Sequence, residues 1–303
     1  MNRSVTLGTL LLLACSTQSP ARAQDLAINN VRIVVGNGTV LERGSILISG
    51  GRITAVSAAV SNAPKMIDAH GMSALPGFID AHRHVNTGPN EQKEMQALLD
   101  EAKKTGARVQ IHAVSPQAMM AAVDAGVKYL VHTPHFGWLS FEDAKKVAAA
   151  GVKQLSTIGF GVPVFGVFAN DNSPRFRDGK PWPESILQGD GRGQEAGYKA
   201  VNARTSWDAG VVYGYGTDTN YDPKAGLAHE LRSLNLMFSM QDIVKLMGPN
   251  TASYIEMANE LGTLEPGKQA DIVLVDGNPL DGYWNFLNTR LVLKGGVIVS
   301  DQR

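Results

Sequence analysis

The feature that most constrains this chain is the alternation of short apolar runs with amphipathic segments between residues 108 and 218. Four of the runs are typical of strands: 108–112, 127–132, 152–158 and 211–218. The segments between them carry helix start and stop signals, such as Ser115-Pro116 at one start and Gly126 at the corresponding end. Alternation of this kind predicts a parallel sheet covered by helices, which is an α/β fold.

Both ends of the chain have a different character. Residues 26–60 and 263–303 carry strand-like runs of valine and isoleucine separated by glycine turns. Two β-rich ends around an α/β middle predict one small β domain, a β-sandwich, assembled from both termini. We therefore expect residues 24–74 and 263–303 to form this small domain and residues 75–262 to form the larger one.

A pair of histidines closes the stretch Pro76-Gly-Phe-Ile-Asp-Ala-His-Arg-His84, whose apolar residues predict a buried strand behind a Pro-Gly turn. Alternate side chains of a strand share a face, so His82 and His84 are expected to project together. Two imidazoles on one face are suited to bind a metal ion. A single pair of this kind is also compatible with ordinary polar side chains.

Three further residues lie at or near the end of a predicted strand: His112, His132 and Asp218. In a β/α barrel, the carboxyl ends of the strands carry the chemistry. Four of the seven histidines thus reach one edge of the sheet together with a carboxylate. Neutral imidazoles and a carboxylate are the ligands expected for Zn²⁺, and manganese, iron, cobalt and nickel fit the same donors.

Each of these three residues also has an interpretation without a metal. His112 fits a core histidine bonded to the backbone, His132 precedes a polar loop, and Asp218 fits a cap of the turn that follows it. The metal hypothesis depends on the common position of all five candidate ligands rather than on any one of them.

Several motifs together resemble the metal-dependent amidohydrolase superfamily, and most closely its imidazolonepropionase-like branch, which includes prolidase-type dipeptidases. The motifs are Pro76 to His84, the strand ending in His112-Ala113, the segment Ala125-Gly-Val-x-x-x-x-His132, and Gly216-Thr-Asp218. The C-terminal segment from Leu261 to Leu280 is similar to one that recurs in the same group.

The resemblance implies a (β/α)8 TIM-like barrel with a metal centre at its strand ends. It assigns all five residues as metal ligands: His82 and His84 on the first strand, His112 on the fifth, His132 on the sixth and Asp218 on the eighth. It also implies metal-assisted hydrolysis of a carbon–nitrogen bond, with Asp218 as the catalytic proton shuttle. The implied substrate is a small amide, a cyclic amide or a dipeptide, and the sequence does not identify the residues that would bind it.

The chain departs from this family between His84 and His112. Only 27 residues separate them, whereas the family has three further βα units there, including a lysine that bridges two metals. We therefore expect one divalent metal on His82, His84, His112 and Asp218, with Zn²⁺ as the first candidate. We also expect an incomplete barrel of about five βα units with open edges. A homo-oligomer would cover such edges. A catalytically impaired relative, with a binding or vestigial role, is the alternative function.

Composition narrows the classes of partner. The chain has 28 Lys+Arg and 28 Asp+Glu, so its formal net charge is zero, and its basic residues are scattered rather than clustered. The chain therefore has no overall positive charge that would attract nucleic acid as a partner. No apolar run approaches the ~20 residues of a membrane span, so we expect no spanning segment.

The first residues have the form of an export signal, with Arg3 followed by the apolar run Val5 to Ala14 and the small-x-small site Ala21-Arg-Ala23. Residues 1–23 are therefore predicted to be a signal peptide, which places the protein in the periplasm or outside the cell. The segment Leu12-Leu-Ala-Cys15 supports a second route, processing as a lipoprotein on the single cysteine.

We expect cleavage after Ala23, so that the exported chain begins at Gln24, because Ala21 and Ala23 are the small residues that signal peptidase requires. Intact-mass analysis of protein recovered from the periplasm of a Gram-negative host checks this. The Cys15→Ser variant should be processed identically. A lipidated chain that begins at Cys15, and is lost in that variant, would contradict simple cleavage.

Overall fold

The computed structural model describes residues 25–82, 110–159, 192–219 and 223–303. The predicted signal peptide, Cys15 and the candidate ligand His84 lie outside the described residues. Within those ranges, none of the helices combines the length and the apolar character needed to cross a membrane.

The elements are numbered in chain order. The strands are β1 (Leu26–Val34), β2 (Val40–Ser49), β3 (Arg52–Ser57), β4 (Lys65–Asp68), β5 (Ser73–Pro76), β6 (Gln110–His112), β7 (Tyr129–Val131), β8 (Lys153–Leu155), β9 (Val212–Gly214), β10 (Ile272–Val275), β11 (Thr289–Lys294) and β12 (Val297–Asp301). The helices are α1 (Pro116–Asp124), α2 (Phe141–Ala149), α3 (Arg192–Asp208), α4 (Pro223–Leu234), α5 (Met240–Lys245) and α6 (Thr251–Tyr254). A π turn at Leu246–Asn250 joins α5 to α6, and a 3₁₀ turn covers Tyr283–Leu287.

The two termini meet in one mixed sheet of eight strands. Its order is β12-β11-β10-β5-β1-β2-β3, and β4 pairs with the first half of β1. The junction between the two ends is the antiparallel pair β5 and β10, in which Ala74 lies opposite Leu274. The N- and C-terminal segments therefore fold as one unit, while the sandwich arrangement and the predicted domain limits stay predictions.

Strands β5 and β10 are buried on both faces and so belong to two cores at once. Ile272 and Leu274 point into the core of the terminal sheet. Val273 and Val275, on the opposite face, pack in a second core with aromatic residues such as Tyr213. Because alternate strand residues face opposite sides, one short strand connects the terminal sheet rigidly to the α/β unit.

The middle of the chain forms a parallel sheet in the order β6-β7-β8-β9. Helices α1 and α2 connect its first three strands, and each begins at a serine cap: the hydroxyl oxygens of Ser115 and Ser140 accept the backbone N–H groups of Ala118 and Asp143. The predicted α/β class is confirmed by this alternation. In the residues described, the four strands form an open sheet rather than a closed barrel.

The expectation of a strand from Phe78 to His82 is wrong. Strand β5 ends at Pro76, and the next six residues have no regular strand structure. They still run beside the end of β9, where Ala81 N–H donates to Tyr215 O at 3.2 Å. The backbone N–H groups of Thr217 and Asp218 then both donate to the carbonyl oxygen of His82, and two donors on one acceptor cannot continue a ladder.

We expect Ile272→Ala to lower the free energy of unfolding by about 2–5 kcal/mol, because it leaves a cavity in a core strand that joins both termini. The matched control is Val299→Ala on β12, where the side chain is 59% exposed and the expected change is within about 0.5 kcal/mol. Urea denaturation followed by circular dichroism measures both. Equal midpoints for the two variants would contradict this role of β10.

Candidate metal centre

His112 and His132 come together because their strands are neighbours in register. His112 is the last residue of β6 and lies opposite Val131 of β7, so His132 follows at the same edge. The two rings face each other, with His112 Nδ1 and His132 Nε2 2.5 Å apart. Two nitrogens this close share one proton or one cation, since two bare lone pairs would repel each other.

Asp218 faces the same point from the end of β9. Its carboxylate oxygens lie 3.0 Å from His82 Nε2 and 3.8 Å from His132 Nδ1, and its side chain is only 5% exposed. The ring of His82 contacts the other two imidazoles edge-on, with centroid distances of 5.5 Å to His112 and 5.4 Å to His132. A buried carboxylate thus lies among three imidazoles, of which those of His112 and His132 come from strand ends and that of His82 comes from the irregular segment after β5.

Thr157, which follows β8, fixes the ring of His132. Its hydroxyl lies 2.7 Å from His132 Nδ1. When Nδ1 carries the proton and donates it to this hydroxyl, Nε2 has its lone pair toward His112. Burial lowers the pKa of His132 to about 4; the negative charge of Asp218 raises this pKa, while His112 and His82 lower it further. At neutral pH the ring is therefore uncharged, which is the form that ligates metals.

Three residues of the centre have left-handed backbone conformations. The φ angles are +76° at His132, +43° at Thr157 and +55° at Asp218. Such angles are uncommon outside glycine, and each costs free energy that the surrounding structure must offset. At all three positions the chain turns sharply out of its strand, which directs the side chain over the end of the sheet.

Close packing between His82 and the end of β9 requires a glycine at position 216. A Cβ atom built on Gly216 would lie 2.9 Å from the Cβ of His82. Asp80 hydrogen-bonds the same two segments together: its carboxylate accepts from the Thr217 hydroxyl at 2.7 Å and from the Thr217 backbone N–H at 3.1 Å. The segment before His82 and the segment before Asp218 are therefore held together.

The donor set suits a divalent cation. His82, His112 and His132 each offer one ligand nitrogen, and the three nitrogens lie within 4.8 Å of one another. A tetrahedral zinc site separates its ligand atoms by about 3.3 Å. The separation of 3.0 Å between His82 and Asp218 is close to this value, and the two imidazole nitrogens of His112 and His132, 2.5 Å apart, would have to separate to bind one ion.

Of the five residues predicted as ligands, the structure brings four together: His82, His112, His132 and Asp218. The fifth, His84, lies outside the described residues. Sequence reasoning missed Thr157 and Asp80. Asp80 lies two residues before His82 in the motif Pro76 to His84, and this position could have indicated a role near the centre. Nothing in the sequence around Thr157 indicates its contact with His132.

We expect Thr157→Ala to weaken metal binding by about 10–100-fold, because it removes the bond that orients the His132 ring. The control is Thr205→Ala on α3, whose hydroxyl donates to the backbone carbonyl of Val201 at 2.9 Å. Competition for Zn²⁺ with a chromophoric chelator measures both affinities. Wild-type affinity in a folded Thr157→Ala protein would show that the contact does not orient the ring.

Comparison with known proteins supports this description. An imidazolonepropionase from Caldanaerobacter subterraneus subsp. tengcongensis is 26% identical over 223 residues, which make up 70% of this chain and 46% of that protein. The chain therefore spans less than half the length of this curated relative.

Solved structures share the fold. A Xaa-Pro dipeptidase with bound methionine in its active site superimposes with a TM-score of 0.65 at 16% identity, covering 91% of this chain and 99% of that chain. The ochratoxinase of A. niger gives a TM-score of 0.65 at 13% identity, covering 92% and 96%. These likenesses support a TIM-barrel-like α/β fold.

Residues 87–300 also match the model of the amidohydrolase family. Because that match covers most of the chain, the protein belongs to the amidohydrolase family.

Proposed function

We propose that this protein is an exported, metal-dependent hydrolase of carbon–nitrogen bonds. The observation that carries the proposal is the meeting of three imidazoles and one buried carboxylate, from His82, His112, His132 and Asp218, at the carboxyl-end edge of the parallel sheet. Family membership supports the same reaction class.

The mechanism assigns distinct tasks to the residues of the centre. His82, His112 and His132 would hold a divalent cation, which supplies Lewis acidity toward water and toward the scissile carbonyl. Asp218 accepts the proton of the attacking water and delivers it to the leaving nitrogen. Its burial suits this task, since few solvent molecules compete for the carboxylate.

We propose one cation per chain, with Zn²⁺ as the first candidate. The described cluster offers four donors around one point, from His82, His112, His132 and Asp218, which supports a single cation. No lysine of the sequence between His84 and His112 is expected at a strand end, so a bridge to a second metal has no evident source.

The substrate we propose is a small amide, a cyclic amide or a dipeptide. Two similar proteins, an imidazolonepropionase and a Xaa-Pro dipeptidase, support this class. We further propose that the protein acts in the periplasm or outside the cell, as a free or lipid-anchored chain, and that it forms a homo-oligomer that covers open edges of the barrel.

The alternative is a catalytically impaired relative that binds a metal or ligand without turnover. The observation in its favour is length: the matched part is 46% of the imidazolonepropionase, and the described strands β6 to β9 leave the sheet open.

We expect the mature chain to bind one Zn²⁺ and to hydrolyse members of a dipeptide and cyclic-amide panel, and we expect Asp218→Asn to lower kcat at least about 100-fold by removing the proton shuttle. Metal content by mass spectrometry and product formation by chromatography are measured on the same samples. The control is Asp276→Asn, where an exposed carboxylate pairs with Arg290.

The outcomes separate the two functions. Metal with turnover that Asp218→Asn abolishes supports the hydrolase. Stoichiometric metal without turnover on the whole panel supports the impaired relative. A folded wild-type chain that binds no divalent cation contradicts the proposed centre.

A further inference from the structure

A buried carboxylate lies beside the metal centre without belonging to it. Glu230 on α4 is 1% exposed. Its two oxygens accept separate backbone N–H groups, from Ile158 at 3.0 Å and from Gly159 at 2.6 Å. The hydroxyl of Ser156 bonds the same carboxylate. Glu230 is therefore hydrogen-bonded to three residues of the segment 156–159, which immediately follows β8.

This segment carries Thr157, the residue that fixes the ring of His132. On the side away from Glu230, Ser156 N–H donates to Gly214 O at 2.9 Å and Thr157 N–H donates to Gly216 O at 3.0 Å. The segment is thus held between β9 and Glu230. Thr157 has a left-handed φ of +43°, and such a strained residue keeps its conformation only when its neighbours are fixed.

The contact with Glu230 requires a glycine at position 159. A Cβ at this position would lie 2.9 Å from Glu230 Oε2 and 3.1 Å from Glu230 N. The φ of Gly159 is not in the left-handed region, so the need for glycine here comes from the approach of the carboxylate rather than from backbone conformation.

Burying the charged carboxylate of Glu230 costs free energy of desolvation. Burial raises the pKa of Glu230 to about 7, although Ser156, the two N–H donors and the nearby buried Lys199 lower it. A neutral side chain of similar shape would avoid this cost. A second oxygen is needed to accept both N–H groups, and glutamine would offer one acceptor and present an N–H to the other donor.

We propose that Glu230 is a positioning residue of the metal centre: by fixing the segment 156–159 it keeps Thr157 against His132, and so keeps that imidazole in its ligating orientation. This inference rests on the proposed function of the centre. Among the residues that the structure describes, the hydrogen bonds of Glu230 do not reach any of the four candidate ligands. Its effect on metal binding therefore passes through Thr157, whose hydroxyl contacts His132.

A double-mutant cycle with Glu230→Gln and Thr157→Ala tests this path. Glu230→Gln should weaken Zn²⁺ binding by about tenfold or more. Adding it to Thr157→Ala should cause little further loss, because the contact through which it acts is already gone. The absorption spectrum of the Co²⁺-substituted protein should shift in Glu230→Gln, since the His132 ligand changes its geometry. The control is Glu142→Gln on α2, whose side chain is 79% exposed.

Gly159→Ala is the second variant if Glu230→Gln does not fold, because it displaces the same carboxylate from its donors. It should give the same weakening and the same non-additivity with Thr157→Ala. Additive losses, or a folded Glu230→Gln protein with wild-type affinity and an unchanged Co²⁺ spectrum, would overturn the inference while leaving the proposed function intact. A wild-type chain that binds neither Zn²⁺ nor Co²⁺ would overturn both.

Discussion

The candidate centre depends on one constraint, which is that the carboxyl ends of parallel strands meet at one edge of a sheet. His112, Thr157 and Asp218 belong to different strand ends, yet the register of β6 to β9 places them around one point. No local sequence pattern could bring such residues together. The parallel sheet does so because hydrogen bonding fixes the axial position of each strand relative to its neighbour.

The cost of this convergence appears in the backbone. His132, Thr157 and Asp218 all have positive φ, and glycine is required at positions 159 and 216 for close approaches. Around these residues the structure places hydrogen bonds that leave little freedom, such as Asp80 with Thr217 and Glu230 with the segment after β8. Strain in the centre is thus offset by contacts in the surrounding structure.

The terminal sheet provides a rigid support for this arrangement. Strands β5 and β10 are buried on both faces, and one face packs against the core under β9. The segment that leads from β5 to His82 is therefore anchored within a few residues of the centre. This explains how the candidate ligand His82 keeps its place although the residues that follow Pro76 form no regular strand.

The sequence by itself determined the α/β alternation, the β character of both ends and the candidate ligands His82, His112, His132 and Asp218, because strand periodicity and strand ends are local properties. It misjudged residues 78–82, where a strand-like pattern lacks a regular ladder. Only the tertiary structure revealed Thr157, Glu230 and the contact of Gly216 with His82. Their roles depend on distances between residues far apart in the chain, such as the 2.6 Å bond from Gly159 to Glu230. Packing decides such distances, and no periodicity encodes them.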